Sequence, residues 1–357
     1  MVKKISKTCI LMAMSLPFIF LSGCWDVKDI NHRIMPVVLG ITSEEENYKV
    51  ILQVTEPVGD SLETEIIIGK GKTLNQVIDN ISADMESSLD LLHVKVIIID
   101  HRLAEEGLED LISSFMRSRE ISSKSLITTT KVNLLELFNS MDYDSTPIKT
   151  MDFFEKNAGW NPHIALTRIW HIYRSIHSLT QDTVIPIISP GDTTRIKQEG
   201  SLVIRKGIAS GEITSDETLL YNALMENSAY GMIEVLDVAS IMILGNSVFY
   251  TSEFTNGQAN LTANLDLTVT VLETKGDTTK TEIQQQLQSL LQEKFKKMNS
   301  KLQSSGADAL GTGRFFRNKL KYEELKNWRT AYFPNLNFTL NITIDIQNEG
   351  NLKTIKN

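Results

Sequence analysis

Cysteine is nearly absent from this chain: of 357 residues only Cys9 and Cys24 carry a thiol. The portion from Cys24 onward therefore has no pair with which to form a disulfide, and its stability has to come from an ordinary hydrophobic core. Long apolar runs are also lacking, since beyond the first two dozen residues no stretch reaches the roughly 18 residues needed to cross a bilayer as a helix. Basic charge is in deficit. The formal net charge is −8, and it becomes −11 when Lys3, Lys4 and Lys7 are left out. So acidic a body is a poor match for nucleic acid and is weakly repelled by anionic headgroups taken as a whole.

The signatures of common chemistry are missing too. Gly69-Lys70-Gly71-Lys72-Thr73 ends like a phosphate loop, but Ile66 stands where the first glycine is needed, so the backbone amides cannot form the cradle. Gly311-Thr312-Gly313 is too short for a dinucleotide fingerprint and reads as a turn between two helices. There is no Gly-x-Ser-x-Gly elbow. The six histidines are scattered; His171 and His177 fall on different faces of one helix and not at the four-residue spacing of a shared metal. Carboxylate pairs brought together by folding stay open as hydrolase acids, but nothing in the sequence selects one.

What is present begins at the N-terminus. Three lysines precede an apolar run, Ile10 to Leu21, that is too short for a stable span and contains Pro17. The run closes on Leu21-Ser22-Gly23-Cys24, a lipobox, so residues 1–23 read as a lipoprotein signal peptide and Cys24 as the lipidation site. A single acyl chain holds a protein only marginally, whereas a diacylglyceryl group on Cys24 gives two chains and durable anchoring. No other cofactor is expected.

The rest of the chain alternates between two hydrophobic periods. Met35–Ile41 and Tyr48–Thr55 read as a hairpin, and Pro57-Val58-Gly59-Asp60 as a domain edge. Glu65–Ile68 is a strand, and Thr73 is placed to cap a helix carrying Leu74, Val77, Ile78, Ile81 and Met85. Val94–Asp100 and Leu126–Thr130 are strands, separated by a helix with Leu108, Leu111, Ile112 and Phe115 and followed by a helix at Leu134–Met141. Ile164, Leu166, Ile169, Trp170, Tyr173 and Ile176 form an aromatic helix stripe expected to be core. A strand follows at Thr183–Ile188.

In the last third, strands at Leu202–Arg205 and Ile208–Ile213 lead into a helix that Ser215 is placed to cap. From Ala259 to Val271 apolar and polar residues alternate, then Ile283, Leu287, Leu290, Leu291, Phe295, Met298 and Leu302 mark a long helix, and Phe338–Ile346 a final strand. The expected fold class is α/β and α+β, three mixed α/β domains with sheets covered by helices. The expected partition is an N-terminal domain of residues 24–57 and 146–198, a second α/β domain of residues 58–145, and a C-terminal α+β domain of residues 199–357.

Cys24-Trp25-Asp26, then Asp29-Ile30-Asn31 and the strand ending Leu39-Gly40-Ile41, resembles the start of the Ger(x)C family, lipoprotein C subunits of nutrient germinant receptors in endospore formers. Further stretches are similar in the same order. These are His93–Ile99 through Leu103–Leu108 to Phe115–Ser118, Gly200–Val203 to Gly211–Thr214, and Asp308–Arg314 with Trp328 and Phe333-Pro334-Asn335-Leu336. Asp29, Thr42 and Ala309 depart from the family's usual residues and mark a divergent member.

The resemblance implies a non-enzymatic subunit, palmitate or a related acyl group on Cys24, a place on the outer face of the spore inner membrane, and two polytopic germinant receptor subunits as partners, with no nucleic acid. Arg314, Arg317, Trp328 and Phe333 are the candidate partner contacts, because arginine and aromatics are favoured at interfaces; a lone large aromatic such as Phe333 is also a natural core residue. A solute-binding lipoprotein of an importer and a tethered cell-wall hydrolase would share the anchor and the size, without accounting for the order of these motifs.

Overall fold

The computed structural model describes residues 33–58, 61–118, 120–141, 153–154, 162–191, 195–227, 231–235, 238–276 and 278–348. Residues 1–23, expected to be a signal peptide, Cys24 and the Gly59-Asp60 part of the expected domain edge lie outside the described residues.

The chain enters through a short strand β1 (Arg33–Ile34) and makes the hairpin β2 (Val38–Glu44) and β3 (Asn47–Val58), continued by β4 (Ser61–Gly71). Glu45 and Glu46 form the two-residue turn, both with positive φ (50° and 64°), as the twist of a tight hairpin requires. Helix α1 (Leu74–Asp84) starts at Thr73, whose side chain accepts the Gln76 N–H. Its buried Val77 and Ile81 lie so close over β4 that a Cβ at Gly69 would fall 2.5 Å from Ile81 Cγ1. The glycines of the broken phosphate loop thus serve helix packing.

Strand β5 (Ser88–Leu89) pairs with β1, and β6 (Val96–Asp100) follows. Helices α2 (His101–Glu106) and α3 (Glu109–Arg117) return the chain to β7 (Leu126–Thr130), and α4 (Leu134–Met141) crosses next. Helix α5 (Ile169–His177) leads to β8 (Thr183–Pro190), then β9 (Ile196–Arg205) and β10 (Ile208–Ile213).

Apart from the β1–β5 pair, these strands make one eight-stranded sheet in the order β10-β9-β8-β7-β6-β2-β3-β4, with β2, β6, β7 and β8 mutually parallel. β6 shows why its sequence is a continuous apolar run: Ile97 and Ile99 pack under the α1, α3 and α5 layer, while Val96 and Ile98 pack against Leu137 and Phe138 of α4. A parallel strand covered on both faces has no polar side to show.

The sheet order corrects the expected partition. Strands from residues 24–57, 58–145, 146–198 and the opening of 199–357 all hydrogen-bond into this one sheet, and β8 pairs with β7 and β9, two strands removed from the N-terminal hairpin. Parallel pairing of β2 with β6 puts β3, β4 and α1 into the crossover between them, so no boundary at residue 58 can separate the two.

The C-terminal unit starts with α6 (Ser215–Leu224). Thr214, not Ser215, is the cap: its hydroxyl accepts the Glu217 N–H, and Glu217 accepts the Thr214 N–H. Strands β11 (Gly231–Val235), β12 (Ala239–Thr255), β13 (Gln258–Thr274) and β14 (Asn337–Asn348) form a four-stranded sheet. The long helix α7 (Lys280–Ser305) joins the parallel pair β13 and β14 and ends on Gly306 in the left-handed region, φ 66°. Ile283, Leu287, Leu291, Phe295, Met298 and Leu302 line its buried side, contributing on the order of 10 kcal/mol before chain entropy is subtracted. From the same helix, Gln284 donates to the Ile344 carbonyl at 2.8 Å and Lys280 to the Ile346 carbonyl at 3.2 Å.

The aromatic stripe is partly corrected. Helix α5 begins only at Ile169, so Ile164 and Leu166 precede it, and Trp170 is 36% exposed with the Arg174 guanidinium 5.0 Å above its ring.

Gly69→Ala is expected to destabilise the protein by about 1–3 kcal/mol through overpacking against Ile81. Urea unfolding of the variant beside the parent chain checks it, and an unchanged midpoint would contradict the close approach.

Candidate functional site: a buried carboxylate junction between the two sheets

Leu179 to Asp182 link α5 to β8 on the side of the large sheet that meets the C-terminal unit. Against them lie the loop after the α7 cap, residues 307–313, and a turn following the short helix α8 (Tyr322–Lys326). Asp182 is fully buried, and Arg329 opposite it is nearly so. Arg329 donates Nε–H to Asp182 Oδ2 at 2.7 Å and Nη2–H to Oδ1 at 2.9 Å, a bidentate pair. The same guanidinium donates to the carbonyls of Leu179 (2.8 Å) and Gln181 (3.0 Å). The Lys206 and Asp308 amides complete Asp182, at 3.1 and 2.9 Å.

Asp308 is the second carboxylate. Its Oδ1 accepts the Thr312 amide (2.7 Å) and hydroxyl (2.9 Å), and its Oδ2 accepts the Gly313 amide and the Trp328 indole N–H, both at 2.8 Å. Its own carbonyl accepts the Asp182 amide at 2.8 Å. Complete burial pushes the Asp308 carboxyl up to about 6, and the donations from Gly313, Thr312 and Trp328 hold it lower than burial alone would. At neutral pH it is ionised, with all four acceptor positions used.

Local sequence explains the geometry. Gly311 takes φ 64°, and a Cβ at Gly313 would lie 2.6 Å from the Trp328 indole and 2.8 Å from Thr180 Cβ, so neither position admits a side chain easily. Trp328 is held flat between Phe316 and Tyr332, at ring separations of 5.0 and 6.1 Å. Asp308-Ala309-Leu310-Gly311-Thr312-Gly313 and Trp328-Arg329 are therefore two halves of one clasp around residues 179–182. With its donors and acceptors matched, the cluster is built to hold, not to react. Among the described residues no group of three or more His, Cys, Asp or Glu is placed to hold a metal ion.

Two of the expected partner contacts are corrected here. Trp328 and Phe333 are fully buried; the indole serves Asp308, and the phenylalanine packs in the core under the four-stranded sheet. Arg314 is half-buried, its guanidinium 4.7 Å over Phe315 and 5.9 Å over Tyr250. Arg317 is exposed and donates to Thr180 Oγ1 at 3.1 and 3.3 Å, across the same junction. Asp182 and Arg329 were not singled out in the sequence; their one signal was the placing of an arginine directly after the motif tryptophan. His171, which has no partner at metal-sharing spacing in the sequence, accepts the Arg168 amide at Nδ1. Burial, with Arg174 and Arg168 nearby, lowers its pKa to about 4, so it is neutral.

Of the residues that meet at this junction, Leu179–Asp182 fall in the first of two family matches, and Asp308 and Arg329 in the second. The spore germination protein N-terminal domain matches residues 26–190, and the spore germination B3/GerAC-like C-terminal domain matches residues 199–350. Relatives include three Bacillus subtilis proteins. Spore germination protein KC is 23% identical over 51% of this chain and 49% of its own length, spore germination protein B3 is 22% identical over 66% and 65%, and spore germination protein A3 is 25% identical over 37% and 38%. The chain thus spans about half of the first relative and under two thirds of the others. The crystal structure of the GerBC protein superposes with a TM-score of 0.57 at 16% identity, covering 86% of this chain and 96% of that one, which establishes a shared mixed α/β fold. The chain belongs to this family of spore germination proteins with a GerAC-like C-terminal domain.

Asp182→Ala or Arg329→Met leaves a buried charge unpaired and is expected to cost about 3–5 kcal/mol. Arg329→Lys should recover little of this, because an ammonium cannot supply the planar fork. Denaturant unfolding of the three variants measures both effects. Trp328→Phe, which deprives Asp308 of one donor, should cost about 1–3 kcal/mol.

Proposed function

We propose that this protein is the lipid-anchored, non-enzymatic C subunit of a spore nutrient germinant receptor, tethered through acyl chains on Cys24 to the outer face of the spore inner membrane. It assembles there with two polytopic receptor subunits and is needed for nutrient-triggered germination. The observation that carries this reading is the succession of the two family matches, the first beginning two residues after the lipobox cysteine.

The junction gives the reading a mechanical content. Because Asp182 and Arg329 lock the two sheets together, a partner docked on either unit moves the other with it, and the subunit acts as a rigid coupling piece. Nutrient recognition is assigned to a partner, since no ligand motif occurs in this chain. Arg314 and Arg317 remain the proposed contacts; Arg317 presents the more accessible side chain.

The deciding experiment is mass spectrometry of proteins co-purifying with the tagged chain from gently solubilised spore membranes, beside a Cys24→Ala control. Two polytopic partners, depleted in the control together with loss of nutrient-triggered germination, are expected. A permease with an ATPase would replace this reading with solute capture for an importer, and receptor assembly unchanged by Arg314→Glu and Arg317→Glu would remove those residues as contacts.

A further inference from the structure

The entry edge of the large sheet, where β2, β6 and β7 begin, carries a chemistry unlike the acidic average of the chain. The Lys95 amide donates to the Val37 carbonyl and the Lys95 carbonyl accepts the Leu126 amide, both at 2.8 Å, so Lys95 sits between the incoming chain and the start of β7. Beside it, Arg168 Nη1 donates to the Lys124 carbonyl at 2.6 Å. Lys95, Lys124 and Arg168, with Ser122 and Ser125, line a cavity of about 220 Å³. Both lysines are exposed.

Apolar groups flank this basic pocket at the same edge. The Trp170 amide donates to the Ser123 carbonyl, which ties the start of α5 to the segment that carries Lys124, and the indole is 36% exposed. Leu92, three residues before Lys95, is 52% exposed. Of the acids nearby, Asp90 is paired with Arg33 at 2.6 Å, while Glu86 and Glu120 are exposed. The opposite edge, where β2 and β6 end, bears Glu44, paired with Lys49 and Lys70, and the exposed Glu45 and Glu46 of the hairpin turn, with Glu105 and Glu106 on α2. Exposed glutamates are thus more numerous at this end than at the pocket's.

The position of this edge relative to the anchor selects its partner. Cys24 lies nine residues before Arg33, a length of chain that reaches about 30 Å at most. Arg33 is bound to Asp90, whose amide donates to Ile34, and Val37 holds Lys95. A basic pocket whose neighbouring segments carry an exposed indole and an exposed leucine, within reach of an acylated cysteine, has the composition of a headgroup-level surface.

We infer that this edge is the face turned to the bilayer, and that the pocket of Lys95, Lys124 and Arg168 receives the phosphate of an anionic phospholipid while Trp170 and Leu92 rest among the headgroups. The inference rests on the proposed anchoring through Cys24 and adds an orientation to it. Turned this way, the chain directs its acidic edge away from the anionic surface, and the anchor no longer works against the body's net charge.

The test is flotation of the unacylated Cys24→Ala chain with vesicles containing phosphatidylglycerol, compared with vesicles of phosphatidylcholine alone. Lys95→Gln/Lys124→Gln is the variant, and Lys297→Gln/Lys326→Gln, exposed lysines on α7 and α8, is the control. At about 1 kcal/mol for each lysine near the surface, the pocket variant should bind the anionic vesicles about thirtyfold more weakly. The control pair should lose much less, and neutral vesicles should not distinguish the chains. Equal losses in both pairs, or no preference for anionic vesicles, would overturn the inference. So would saturable binding of inorganic phosphate without that preference. Intact mass of the native protein from spore membranes tests the anchor separately: an unacylated Cys24 together with charge-dependent flotation would sink the tether and leave the surface standing.

Discussion

A single buried interaction, the bidentate pair of Asp182 with Arg329 and its amide link to Asp308, sets the relation between the two sheets. It joins a loop of the large sheet to two loops of the C-terminal unit that lie about 20 residues apart in sequence. Hydrophobic burial is non-directional and would tolerate many placements of one sheet on the other. The paired carboxylates admit few, because each donor must meet its acceptor or remain unsatisfied in a dry interior. The surrounding core is shared across the same boundary: Val184, Val203 and Ile213 of the large sheet cluster with the residues of α6, α7 and the four-stranded sheet.

Much of the secondary structure was legible in the sequence, for physical reasons that differ by element. β13 alternates cleanly because one of its faces is wet, and α1 and α7 show helical spacing because each covers a single sheet face. The α4 helix was readable to its ends. What escaped was structure whose signal is tertiary. β12 has no regular alternation, since its register shifts twice against β13. The Trp170 stripe looked apolar all along, but one of its rings is covered by Arg174 and solvent in place of a sheet.

The site was legible as a motif and illegible as a mechanism of holding. Asp308, Gly311, Gly313 and Trp328 stand out together in the sequence, yet their spacing does not reveal that Trp328 faces inward to a carboxylate, so Trp328 reads with Phe333 as a contact surface. Asp182 lies some 125 residues from Asp308 and belongs to no local pattern. Long-range charge pairing of this kind leaves almost no trace in a single sequence. Cys24 is the reverse case, a residue read entirely from its neighbours along the chain.

The side chains of Gln284 and Lys280 have a significance beyond the helix that bears them. By taking up the Ile344 and Ile346 carbonyls they occupy hydrogen-bonding groups on the last strand of the four-stranded sheet, groups that would otherwise offer a template to another strand. Such a guarded border lets copies of the chain crowd together without polymerising through this sheet.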